Sequence, residues 1–367
     1  MSGIYVHIPF CKSRCIYCGF YSTTGLSLQQ RYVDALCREY HLRHNYIALP
    51  PTTIYIGGGT PSVLSESQLE QLFTTLGSAE EVTLECNPDD VTEEFAALLR
   101  RLPVNRVSMG AQTFSDERLR FLGRRHNAEQ VAQAVDRLRR VGISNISIDL
   151  IYGFPNQTLS EWEADIDRAL SLHVEHLSAY ALSYEEGTRL FRMMEQGIVS
   201  PIDDELSRSM YYTLLDRTAA AGFEHYEISN FALPGHRSRH NSSYWNQTPY
   251  LGLGAAAHSF DGKSRQWNVA DVGKYIKGAE SGNLTFEVEQ IDETTRYNEQ
   301  VMTALRTCDG LDLQLLTFPQ RSYCLGMADR YLNSGLLAHD KEKDRLRLTR
   351  DGLFVSDMVI ADLMDIS

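Results

Sequence analysis

Six short apolar runs recur between residues 4 and 183, each followed by a stretch of helical periodicity, and few folds accept that rhythm. The runs are IYVHIPF (4–10), TIYIGG (53–58), VTLECNP (82–88), RVSMGAQT (106–113), NISIDLIYG (145–153) and HLSAYALS (176–183). They are rich in β-branched and aromatic residues and bounded by Gly, Pro or Asn, as strands of a buried parallel sheet are. Ser65-Glu66-Ser67-Gln68 and Ser160-Glu161-Trp162-Glu163 match the capping box, predicting helix starts there. AEQVAQAVDRLRRVG (128–142) spaces its apolar residues for a helix that stops at Gly142. Six β–α repeats imply an α/β fold with a parallel sheet and right-handed crossovers, and leave open whether the sheet closes into a barrel. Ligands of such folds gather at the carboxyl ends of the strands. The motifs that carry chemistry stand after strands one to five, which predicts one shared site.

Near residue 200 the rhythm changes. A long helix is predicted over 203–223, and the segment from Tyr226 to Phe260, rich in Gly, Asn, Ser, His and aromatics, reads as extended structure and loops. From about 290, helical segments lead to LLAHDKEKDRLRLTRDG, a hairpin turning at DKEKD, and then a last helix. Helices with a small hairpin predict a winged-helix-like α+β module. The expected division is therefore 1–200 for the repeats, 201–285 for an elaboration holding the long helix and HNSSYW, and 286–367 for the C-terminal module.

Charge narrows the range of partners. With 35 Lys and Arg against 48 Asp and Glu the net charge is −13, which repels nucleic acid; the best basic cluster, LGRRH (122–126), suits a local anion instead. No run of eighteen apolar residues is present, and MSGIYVHIPF lacks the basic-then-apolar pattern of an export signal, so a cytoplasmic location is expected. Seven cysteines without paired spacing fit reduced thiols.

Three of the seven fall within CKSRCIYC. Cys11, Cys15 and Cys18, spaced CxxxCxxC, can wrap one soft metal centre. Structural zinc is the competing reading, but it usually adds a second CxxC or spaced histidines, and no second CxxC exists here. His7 alternates with Tyr5 and Pro9 in a strand and reads as packing. Three thiolates on a [4Fe–4S] cluster leave one iron open for a substrate or cofactor.

CxxxCxxC after the first strand, with Tyr17 just before the third cysteine, resembles the radical S-adenosylmethionine (SAM) enzymes. The resemblance implies a partial (β/α)6 TIM-like barrel and a cluster on Cys11, Cys15 and Cys18. SAM would be chelated to the open iron and split, on electron transfer from the cluster, into methionine and a deoxyadenosyl radical. In YIGGGTPS it implies that Gly58, Gly59 and Thr60 meet the methionine end of SAM, and that Glu85 of LECNP reaches the ribose. Tyr17 would lie near the adenine.

A closer resemblance covers roughly residues 4 to 260. IYVHIPFCKSRCIYC, GGGTPS, LECNPDD, SMGAQTF, LGRRH, SIDLIYGFPNQT, LSAYALSYEEGT and HNSSYW are similar, in order, to the oxygen-independent coproporphyrinogen III dehydrogenase group. This implies a second SAM beside the first, on Gln112, Arg124 and Asp149, with Tyr5 and Glu85 on the first. Dehydrogenases of the group carry a fourth cysteine two positions after the third and an extension before the first strand. Here Phe20 occupies that position and the strand begins almost at once, so the chain resembles the HemW-type relatives, although Gly19 stands where those carry Asp.

HNSSYW then fits the HNxxYW motif of that subgroup, and GLGAAAHS its Gly-rich segment. His240 offers an imidazole to heme iron, with His258 as a second candidate, while Tyr244 and Trp245 offer apolar faces. The function implied is a heme-binding chaperone that passes heme to acceptor proteins and draws on an electron donor. A homodimer and peripheral contact with membranes through the acceptors are also implied. The alternatives are a coproporphyrinogen III dehydrogenase, which decarboxylates propionates to vinyls, and a radical SAM enzyme of unrelated substrate.

Overall fold

The computed structural model describes residues 2–366. Six parallel strands follow one another in space as in sequence: β1 (Gly3–Ile8), β2 (Thr53–Gly58), β3 (Glu81–Cys86), β4 (Arg106–Gln112), β5 (Asn145–Tyr152) and β6 (His176–Ala181). They are the six runs read from the sequence, with ends within two residues of those expected. The crossovers are α1 (Gln29–Arg43), α2 (Glu66–Leu76), α3 (Glu93–Arg101), the pair α4 (Asp116–Leu122) and α5 (Ala128–Arg140), and α6 (Leu159–Ser171). After β6 come α7 (Arg189–Glu195) and α8 (Asp204–Ala220). The Ser65 capping box forms as read. The second does not: Thr158, not Ser160, caps α6 and pairs reciprocally with Glu161, because the helix starts two residues earlier.

Strand alternation divides the side chains between two environments. Ile4, Val6, Ile54, Ile56, Val82, Leu84, Val107, Met109, Ile146 and Ile148 are fully buried, forming one core with Leu36, Leu69, Leu99, Val131 and Ile166 of the helices. The alternate positions Tyr55, Glu85, Ser108, Asp149 and Ser178 line an interior cavity. The parallel strands are thus apolar outward, toward the helices, and polar inward.

The barrel stays open: β1 and β6 do not pair, and the sheet continues outward from each. β9 (Tyr250–Leu253) runs parallel beside β1, followed by antiparallel β10 (His258–Phe260), β11 (Ser264–Asn268) and β12 (Phe286–Gln290). At the other edge β8 (Asn230–Ala232) lies antiparallel to β6, with β7 (Glu224–Glu227) outermost. α10 (Val272–Ser281) packs on α1. The expected boundary at 285/286 cuts across this sheet, since β12 pairs with β11 over five residues. The stretch read as loops also holds a helix, α9 (Arg239–Trp245), carrying HNSSYW.

The C-terminal unit comprises α11 (Glu293–Ala304), β13 (Leu311–Asp312), α12 (Phe318–Asn333), β14 (Leu337–Asp340), β15 (Arg345–Leu348), α13 (Arg350–Phe354) and α14 (Ser356–Leu363). Its strands form a separate antiparallel sheet, ordered β13-β15-β14, over an apolar core of Val301, Leu313, Leu346, Val359 and Leu363. The hairpin turns where the sequence places it. Arg350 to Asp216 (2.6 Å) and Tyr212 to Asp351 (2.9 Å) tie this unit to α8.

Gly254 shows why GLGAAAHS carries its glycines. Its φ of +103° favours glycine, and a Cβ there would lie 2.5 Å from the Tyr32 hydroxyl. Beside it a buried network centres on Glu39, which accepts from Arg43 (2.7 Å), Asn268 (2.7 Å), Tyr275 (2.6 Å) and the Gly254 amide (2.8 Å). That segment locks α1 to the sheet.

Candidate functional site

The loop between β1 and α1 is held at both ends by its backbone. Thr23 N–H donates to the Pro9 carbonyl at 2.7 Å and Cys11 N–H to the Thr23 carbonyl at 2.9 Å. Between them Ile16, the one aliphatic residue of CKSRCIYC, is buried in a satellite cluster with Leu122, Phe154, Leu182 and Leu190. Its amide donates to the Leu122 carbonyl (3.1 Å) and its carbonyl accepts from Leu190 (2.9 Å). One buried side chain thus anchors a loop that would otherwise be free, and holds Cys15 and Cys18 toward the barrel.

Cys11, Cys15 and Cys18 open onto a cavity of about 680 Å³ at the carboxyl ends of the strands. Its wall also includes Tyr17, Gly58, Gly59, Thr60, Glu85, Gln112, Arg124 and Asp149. The fold therefore assembles residues from the ends of five strands and their following loops, across more than one hundred positions of sequence, around one space. Burial pushes the Cys11 and Cys18 thiols up. Among the described residues no three His, Cys, Asp or Glu side chains converge tightly enough to hold a single metal ion, the loop cysteines included.

The glycines of GGGTPS serve close approach. A Cβ on Gly59 would lie 2.8 Å from the Ile8 carbonyl oxygen and 2.9 Å from that of Phe10. On Gly58, whose φ is +105°, it would lie 2.5 Å from the His7 ring. The two amides are engaged within the protein: Gly59 N–H donates to the Ile8 carbonyl (2.8 Å) and Gly58 N–H to Glu85 (3.1 Å). These glycines shape the cavity floor without offering free donors.

Glu85 accepts from Gly58 and from the Tyr55 hydroxyl at 2.6 Å, and burial raises its carboxyl from the ordinary 4.5 to about 7. Asp149 is raised for the same reason, with Ser178 and Ser108 hydrogen-bonded to it. Gln112 sits at a bulge in β4 with φ of +67°, a backbone strain of the kind that collects at ligand sites. Gly110 makes room for it, since a Cβ there would meet the Gln112 amide at 2.6 Å. Arg124 reaches over the strand end to the Gly110 carbonyl (2.6 Å) and the Asn87 side chain (2.7 Å), and its other amine points at Cys15 Sγ (3.7 Å).

Tyr5 and the residues expected to meet heme stand apart from the cavity. Tyr5 does not line it; its hydroxyl bonds His7 Nδ1 at 3.0 Å and its ring packs beside the contacting pair Tyr55 and His240. His240 is 0% exposed. Its Nδ1 pairs with Thr53 Oγ1 (2.8 Å) and its Nε2 with the Tyr244 hydroxyl (2.9 Å), while burial lowers it to about 3, so the ring is neutral and both nitrogens are occupied. The expectation that His240 binds heme iron finds no free ring nitrogen here. Helix α9 instead closes the amino ends of the strands: Glu81, the first residue of β3, accepts from the amides of Arg239 (3.0 Å) and His240 (2.9 Å). Asn241 alone of the motif lines the cavity, while Trp245 borders a second cavity of about 370 Å³ facing α11. His258 is exposed and stacks on Trp267.

Asn87 escaped the sequence reading although it lies inside LECNPDD. It bridges Thr60 and Arg124, and its signal was available: an Asn immediately before Pro88, after an inward-facing strand end.

The radical SAM superfamily model matches residues 5–169 and the HemN C-terminal domain model residues 291–355. The heme chaperone HemW of Lactococcus lactis is 34% identical, over 98% of this chain and 96% of its own. That of Bacillus subtilis is 37% identical, over 85% of each. The solved structure of the Escherichia coli coproporphyrinogen III oxidase HemN, a radical SAM enzyme, superposes with a TM-score of 0.81 at 21% identity, covering 100% of this chain and 90% of that one. At that identity the likeness is one of fold.

Proposed function

From the premise that this chain belongs to the HemW family of the radical SAM superfamily, we propose that it is a heme chaperone: it binds heme and passes it to acceptor proteins, on a scaffold carrying a [4Fe–4S] cluster and SAM. The observation that carries this reading is the opening of three loop thiols onto one cavity that also presents Glu85, Gln112, Arg124 and Asp149. Cys11, Cys15 and Cys18 would hold the cluster, which when bound supplies an open iron for SAM and a site for one electron from an external donor. Glu85, poised near neutrality, is suited to accept from ribose hydroxyls. Arg124 suits a carboxylate, and Asp149 with Gln112 suits amine and hydroxyl groups. Tyr17, half-buried in the cavity wall beside the cysteines, would support the adenine.

Phe20 stands where the dehydrogenase group places a further cysteine and is 70% exposed at the cavity mouth. An apolar ring there adds no ligand to the cluster and presents a flat surface to a porphyrin. The test is a heme titration and a coproporphyrinogen III assay on one anaerobically reconstituted preparation. Heme binding, read at the Soret band, without formation of protoporphyrinogen is expected. Turnover would replace the chaperone by the dehydrogenase, and absence of heme binding would reject the proposal outright.

A further inference from the structure

A chain of hydrogen bonds connects two of the loop thiols around the cavity wall. Thr60 Oγ1 points at Cys11 Sγ at 3.6 Å, and Arg124 Nη1 at Cys15 Sγ at 3.7 Å. Asn87 joins the two donors: its Oδ1 accepts from Arg124 Nη2 at 2.7 Å and its Nδ2 donates to Thr60 Oγ1 at 3.5 Å. We infer that Asn87 is a positioning residue that aims Thr60 and Arg124 at the cluster thiolates and so raises the reduction potential of the cluster.

The direction of every bond in the chain is fixed by chemistry. A guanidinium only donates, so the Asn87 oxygen must face Arg124 and its amine must face Thr60. Thr60, whose oxygen receives that amine, keeps its one proton for Cys11; the residue is 6% exposed, so water offers little competition. Arg124 is held from its far side by the Gly110 carbonyl at 2.6 Å, which keeps Nη1 on Cys15. An asparagine is the side chain that can accept on one arm and donate on the other at this spot.

Reduction brings one electron from an external low-potential donor into the cluster, with no bond made or broken. The added charge spreads onto the thiolates, and donors aimed at sulfur stabilise that form, which is how hydrogen bonding raises cluster potentials. The inference rests on the cluster reading proposed above, and the two fail separately. Absence of iron and sulfide from the reconstituted unsubstituted protein would reject the cluster, whereas an unmoved potential in a loaded variant rejects only the role of Asn87.

The experiment is an anaerobic potentiometric titration followed by electron paramagnetic resonance, without SAM, using reduced deazaflavin as donor. Asn87→Leu is expected to disfavour reduction about tenfold, a shift of ~59 mV to more negative potential for one electron. Thr60→Val, which keeps the shape and removes the donor, is expected to disfavour it about threefold. Thr60→Ser is expected to restore the original midpoint. Full cluster content with an unchanged midpoint in both Asn87→Leu and Thr60→Val overturns the inference. Should Asn87→Leu fail to hold the cluster, the Thr60 pair decides. A negative shift or cluster loss in Thr60→Val that Thr60→Ser reverses supports it. No difference between Thr60→Val and Thr60→Ser overturns it.

Discussion

Replacing Glu85 by glutamine should stabilise the ligand-free protein at alkaline pH and at the same time weaken its hold on SAM. The carboxyl rises from 4.5 to about 7 on folding because burial disfavours its charged form. An acid with a raised folded value loses its proton first in the unfolded chain. Its contribution is therefore fully present below pH 4.5, falls as pH rises through this window, and levels off above pH 7. A rise of that size corresponds to about 3 kcal/mol, which the cavity's opening to solvent reduces to roughly 2 kcal/mol. Glutamine cannot ionise, so the variant lacks this loss. It also has one oxygen to share between the Tyr55 hydroxyl and the Gly58 amide, a cost of about 1 kcal/mol that does not vary with pH. The signature is thus a slope in the difference between the two proteins. Urea unfolding of both apoproteins at pH 5 and pH 8, under reducing conditions, should show the difference moving in favour of Glu85→Gln by about 2 kcal/mol. A pH-independent difference would refute the argument, whatever its size.

Three further outcomes follow from the packing. Arg43→Ala leaves the Glu39 carboxylate buried beside three neutral donors and should cost about 3 kcal/mol, read as a lowered urea midpoint with an unchanged slope. Gly59→Ala puts a methyl against two backbone carbonyls and should displace the cysteine loop, so that reconstituted iron and sulfide fall well below those of the parent; full loading would contradict it. His240→Ala strips the Thr53 and Tyr244 hydroxyls of their partner and should cost about 2 kcal/mol while leaving the Soret band of bound heme in place. A moved Soret band would reinstate His240 as an iron ligand.

Much of the fold is legible in the residues because its signals are local. The six strands follow from β-branched runs ended by Gly, Pro and Asn, and the helices between them from period and caps. Even the polar interior of the barrel is written in the alternation of Ser147, Asp149 and their apolar neighbours within NISIDLIYG. The misplaced start of α6 has a local cause as well: Thr158 and Ser160 are both hydroxyl residues with a Glu nearby, and only the geometry of the preceding turn chooses Thr158.

The sequence by itself determined the chemistry on offer: three thiols too close together for chance, a glycine turn, and acids and an arginine at strand ends. Only the tertiary structure decided which of these meet. It placed the three cysteines and eight of the nine residues expected to meet SAM on one cavity, withdrew Tyr5 into the layer beneath, and made His240, expected as an iron ligand, the buried pin of a helix that closes the barrel floor. It also brought Asn87 between Thr60 and Arg124, partners 27 and 37 positions away. The physical reason is the same in each case. A strand fixes which face a side chain shares by its parity, but how far along the barrel axis it stands depends on the register between strands. That register is set by the packing of the whole apolar shell and by no single motif.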